Sequence, residues 1–156
     1  MLKINHRLSA LISLSIAIAA GILIIVLFFT MPMLIDTYLN SLTSVLCNMR
    51  GTVIAFAYLS VAVVFIADIL LILLLQNINK HIVFIPSNVA FLRGISWCCF
   101  LECFIMLIFS FVFPFPYSPI TAVIGFIAIF LGIVLRVVKN VIEEASVIKE
   151  ENDFTI

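Results

Sequence analysis

The chain has 156 residues, of which 65% are apolar and 10% charged, and its mean hydropathy is +1.38. A soluble domain carries about 45–50% apolar and about 25% charged residues, so a water-soluble globular domain and a disordered segment are both excluded. Eight basic and eight acidic residues cancel, and a neutral chain without a basic patch leaves no electrostatic footprint for direct nucleic-acid binding. What remains is a single-domain, all-α polytopic membrane protein with the lipid bilayer as its first partner.

The first apolar run spans residues 8–30 and follows the basic flank of Lys3 and Arg7. Ala17-Ile18-Ala19 resembles a signal-peptidase site, but a signal peptide has an apolar core of about 7–15 residues. This run continues through Leu23, Ile25, Leu27 and Phe29, so an uncleaved first helix is expected. Beyond it, Ile35, Tyr38, Leu39, Leu42, Val45, Leu46 and Met49 recur at helical spacing, with Thr37, Asn40, Ser41, Ser44 and Asn48 between them. That period predicts a short amphipathic helix on the outer surface, either a lid over the bundle or a sensor for an external ligand.

The second run, residues 52–75, ends at Gln76, Asn77, Asn79, Lys80 and His81. The third spans 95–113 and closes at Pro114-Phe115-Pro116. Ser118-Pro119 opens the fourth, over 119–138, as an N-cap followed by proline at the first helical position. The short 114–118 connection makes the third and fourth helices antiparallel neighbours. Lys3, Arg7, Lys80, Arg93, Arg136, Lys139 and Lys149 all fall on one side of this four-span map, and Arg50 stands alone on the other. The positive-inside rule then places both termini in the cytoplasm.

The tail, residues 139–156, contains no Gly or Pro. Helix is expected to continue into it, carrying an apolar stripe of Val138, Val141, Ala145 and Ile148. From residue 140 on, Glu143, Glu144, Glu150, Glu151 and Asp153 stand against Lys149 alone, a charge that an anionic leaflet repels. The extension is either a solvated helix end or a docking surface built on Glu143, Glu144, Ile148, Glu150 and Glu151.

Within the spans, Ser13, Ala17 and Gly21 on the first helix and Gly125 and Gly132 on the fourth mark faces where helices approach closely. Both patterns are common in bundles and signal packing alone; a homo-oligomer is a separate option that they do not decide. Three charges lie inside the apolar runs: Asp68, Glu102 and Arg136. Counted from the ends of their runs, the two carboxylates come out level, each about 10 Å from the cytoplasmic boundary, and Arg136 falls about 24 Å from the outer edge. The economical expectation is one buried cluster of the three. It acts either as an ion pair fixing helix register, with any surplus carboxylate carrying its proton, or as a proton or cation site. The alternative is an Arg136 that snorkels to the interface.

Cys98, Cys99 and Cys103 surround Glu102, but no CxxC pair and no neighbouring His signals a metal site. No HExxH, GxSxG or P-loop motif occurs, so neither enzymatic activity nor a cofactor is expected.

The stretch Phe84-Ile85-Pro86-Ser87-Asn88-Val89-Ala90-Phe91-Leu92-Arg93, leading directly into the third span, and the ending Glu150-Glu151-Asn152-Asp153-Phe154-Thr155-Ile156 resemble a bacterial family of four-helix membrane proteins of unknown function. The resemblance covers nearly the whole chain. It implies a membrane protein that holds or modulates a small cytoplasmic helix-turn-helix regulator, because members of that family are often encoded beside one. It implies no catalytic residues, and neither Glu102 nor the cysteine group belongs to its pattern. The leading expectation is thus a regulatory or interaction protein of the cell membrane. The runner-up is a small proton, ion or solute transporter or channel subunit that uses Asp68 and Glu102.

Overall fold

A computed structural model describes residues 6–40, 50–80, 85–112 and 118–153. They form four α-helices: α1 (His6–Asn40), α2 (Arg50–Asn79), α3 (Pro86–Val112) and α4 (Ser118–Asp153). All four are long and apolar enough to cross a membrane. Their outward faces carry the side chains that a soluble protein buries. Phe111 is 88% exposed and Phe29 is 77% exposed, a surface that only lipid covers without cost.

The helices pack in chain order, α1 on α2, α2 on α3 and α3 on α4, and the last seam is the most extensive. Contacts across each seam make neighbours antiparallel. Arg50 at the start of α2 forks onto Asp36 near the end of α1, with Nη2–Oδ2 at 2.8 Å. Asn77 near the end of α2 donates to Asn88 near the start of α3 at 2.8 Å. Arg93 near the start of α3 faces Glu143 late in α4 at 3.7 Å. The start of α1 and the end of α4 therefore lie at one end of the molecule, called here the terminal end.

Two apolar cores hold the layer together. At the far end, Ile35 and Leu39 of α1 pack against Val53, Ile54 and Ala57 of α2 and Phe109 of α3. At the terminal end, Leu74 of α2 packs with Leu92 and Ile95 of α3, flanked by Leu135 and Ile142 of α4. So α1 completes one core and α4 the other, while α2 and α3 run through both.

The small-residue faces divide unevenly. Ala17 and Gly21 are buried, whereas Ser13 is exposed. Gly125 and Gly132 are both buried against α3. A Cβ at Gly125 would stand 3.3 Å from the Met106 Cβ, and one at Gly132 would stand 3.2 Å from the Cys99 Cβ. The Ser96 hydroxyl donates to the Gly132 carbonyl at 2.8 Å across the same seam, a contact that needs the two backbones close together.

Two boundaries depart furthest from the expected ones. The first helix does not end at residue 30. It runs through Pro32 to Asn40, so Ile35 and Leu39 belong to α1 and face the core. The ring of Pro32 removes one backbone donor, a loss that a membrane helix tolerates. The rest of the expected outer amphipathic helix, residues 41–49, lies outside the described residues. The third helix begins at Pro86 instead of residue 95; of the polar residues in its first turns Asn88 is buried, only 1% exposed, while Ser87 and Arg93 are exposed. The fourth helix begins at Ser118, where the N-cap and proline pair placed it, and extends to Asp153.

Candidate functional site

Asp68 lies on the face of α2 that meets α1, and it is 8% exposed. Its Oδ2 presses against Gly21, where a Cβ would come within 2.7 Å of it. A side chain at position 21 would oblige the carboxylate to move from this place. Gly21→Ala is expected to destabilise the protein by about 1–3 kcal/mol, the usual cost of overpacking. Adding Asp68→Ala should remove most of that penalty. Thermal unfolding of the two single variants and the double variant in one detergent measures the coupling, and strictly additive effects would show that the contact is not made.

Glu102 lies on α3 facing α2, also 8% exposed. The Ser60 hydroxyl donates to its Oε1. Ser60 in turn lines an apolar cavity of about 390 Å³ bounded by all four helices, with Leu27, Phe56, Ile105, Phe109 and Ile124 in its walls. Among the described residues, Glu102 Oε2 and Asp68 Oδ2 have no hydrogen-bond partner. Such burial is costly when a carboxylate is charged, so intramembrane acids are rare and become the candidate positions of a site.

The expected cluster of Asp68, Glu102 and Arg136 does not form. The Asn77–Asn88 bond sets the level of α3 against α2. Asp68 is nine residues from Asn77 and Glu102 fourteen from Asn88, so the two differ in depth by about 7–8 Å at ~1.5 Å per residue. Residue 95, where the apolar run starts, lies well inside a helix that begins at Pro86, so Glu102 sits deeper than its place in the run implies. The two acids also face different neighbours, Gly21 and Ser60.

Arg136 is exposed on α4 and lies over two rings of α3, 5.5 Å from the Trp97 centroid and 5.6 Å from that of Phe100. Two aromatic faces attract a guanidinium by about 0.5–2 kcal/mol each, which holds Arg136 on the α4 side of α3. Among the described residues no carboxylate pairs with it.

The expected docking residues fall in two groups. Glu143 is engaged within the chain, with Lys139 Nζ at 2.7 Å and Arg93 Nη2 at 3.7 Å. Glu144 is exposed, and so are Val141 and Ile148, at 60% and 54%. Glu150 and Glu151 lie on the last turns of α4. The tail thus does not project from residue 140 onward, because Ile142 still packs on the terminal-end core. The inward residues are Leu135 and Ile142, while Val138 and Val141 point outward. Cys98, Cys99 and Cys103 are free thiols.

Four apolar antiparallel helices, with lipid-facing rings outside and two acids buried within, define a multi-pass membrane protein. The chain belongs to the DUF2975 family, a family of proteins of unknown function, whose pattern matches residues 37–156. The match takes in α2, α3 and α4 and leaves out nearly all of α1. No curated protein and no solved structure matches the chain.

Proposed function

We propose that this is a membrane-embedded regulatory protein that uses the C-terminal turns of α4, at the terminal end, to hold a small cytoplasmic helix-turn-helix transcription regulator at the bilayer. The observation that carries this reading is the length and surface of α4. About 20 residues cross the hydrocarbon layer, yet α4 has 36. Past Ile142 it presents Val147 and Ile148, 52% and 54% exposed, beside exposed Glu144 and a turn containing Glu150 and Glu151. An apolar strip outside the membrane favours a covering partner, and an acidic helix suits the basic surface of a DNA-binding protein. The distribution of Lys and Arg supports a cytoplasmic terminal end.

The test is affinity capture from native membranes with and without residues 147–156. Cutting there spares Ile142 and Glu143, which brace the helix layer. The full-length protein is expected to retain a small DNA-binding protein at low salt and lose it as salt rises. The shortened protein is expected to insert normally and retain none. Equal recovery from both forms, or no partner at low salt, would overturn the reading.

A second reading, ion or proton transport, draws on the unpartnered oxygens of Asp68 and Glu102. It requires flux in proteoliposomes that Asp68→Asn or Glu102→Gln abolishes.

A further inference from the structure

At the terminal end of the α3–α4 seam, Arg93, Ser96 and Trp97 of α3 face Arg136 and Lys139 of α4 around a small pocket of about 50 Å³. We propose that this pocket binds the phosphate of an anionic lipid headgroup. It is separate from the α4 tip and does not depend on any partner there.

Three cations from two helices converge on one pocket, and one carboxylate, Glu143, reaches two of them. Glu143 engages Lys139 at 2.7 Å and Arg93 at 3.7 Å. It shows the ligand chemistry these cations accept, an oxyanion, and leaves the pocket with surplus positive charge. Arg136 has no carboxylate partner among the described residues and rests on Trp97 and Phe100. Both ring centroids lie within 6 Å of the guanidinium carbon, a contact that positions the cation without using its N–H donors. A planar guanidinium fixed in this way suits phosphate, which accepts two parallel hydrogen bonds.

The depth of the pocket selects the source of the phosphate. From Pro119, about 20 residues of α4 cross the hydrocarbon, so Arg136 and Lys139 straddle its boundary. Trp97, 58% exposed on the lipid side, occupies the level where tryptophans anchor to headgroups. A phosphate at that level belongs to a phospholipid. Basic pockets between membrane helices bind anionic headgroups by this chemistry.

The experiment is thermal unfolding of the full-length protein in a zwitterionic detergent, titrated separately with phosphatidylglycerol, phosphatidylcholine and inorganic phosphate. Phosphatidylglycerol is expected to raise the unfolding temperature saturably, while the other two leave it unchanged. Arg136→Gln and Lys139→Gln should each weaken the apparent affinity about fivefold, the effect of one basic residue at a membrane surface. Lys80→Gln, an exposed cation outside the pocket, should leave it unaltered. If Arg136→Gln does not fold, Lys139→Gln carries the same comparison. Equal protection by inorganic phosphate would overturn the lipid assignment. Equal loss in Lys80→Gln, or no protection by phosphatidylglycerol, would overturn the site itself.

Discussion

Replacing Gly132 with leucine is expected to be the most damaging single change in the helix layer, lowering stability by about 2–4 kcal/mol. A Cβ alone would meet the Cys99 Cβ at 3.2 Å and the Phe100 Cε1 at 3.3 Å, and the Ser96 hydroxyl reaches the Gly132 carbonyl at 2.8 Å. Leucine must push α4 away from α3. That adds an overpacking cost of about 1–3 kcal/mol and forfeits a buried hydrogen bond worth about 1 kcal/mol. The seam also carries Arg136 on Trp97 and Phe100, so the cation–π contact goes with it. Gly51→Leu is the control, because nothing lies within 4 Å of a Cβ there. Thermal unfolding in one detergent should separate the two clearly. A Gly132→Leu variant that unfolds like the wild type would mean that the α3–α4 seam is not packed as described.

Cysteine accessibility should give an all-or-none answer on orientation. In a background with the four native cysteines replaced by alanine, a probe at Asn79 or Asn152 should react only from the cytoplasm, and one at Asn40 only from outside. The antiparallel seams put the start of α3 and the end of α4 at one end of the molecule. Of the seven basic residues among the described ones, six map to that end, leaving Arg50 at the other. The opposing face has its own fastening, the fork of Arg50 onto Asp36. Labelling of position 152 from outside intact cells would reverse the map and remove any cytoplasmic partner from consideration.

The four helices were legible because hydropathy reports burial in lipid directly, and Ser118-Pro119 carries its own start signal. The extent of α1 and α3 was not. Pro32 reads as a stop in water, yet α1 passes through it. Ser87, Asn88 and Arg93 read as a polar flank, yet Asn88 is buried and bonded to Asn77. Hydropathy scores a residue alone and does not see the helix that satisfies it. The three charges in apolar runs, Asp68, Glu102 and Arg136, were recognisable one by one, but their neighbours were not, because Gly21, Ser60 and the rings of Trp97 and Phe100 each come from a different helix than the charge they meet. An arginine in a membrane does not require a carboxylate when two aromatic faces lie beside it. Along α4 the expected stripe residues Val138, Val141 and Ile148 stand exposed, and a second row, Leu135 and Ile142, packs on the layer. A period belongs to the helix, but which row turns inward belongs to what the helix packs against.

The most direct measurement is photo-crosslinking in intact cells from a single position on the exposed strip of α4. A photoreactive side chain at Ile148, 54% exposed near the end of α4, is compared with one at Phe126, 69% exposed within the apolar span. The expected result is one discrete adduct from position 148, a small DNA-binding protein, that disappears when Glu144, Glu150 and Glu151 are changed to lysine. Position 126 should give lipid adducts alone. Lipid adducts alone from position 148 as well, in cells where the protein is correctly inserted, would contradict the role assigned to α4.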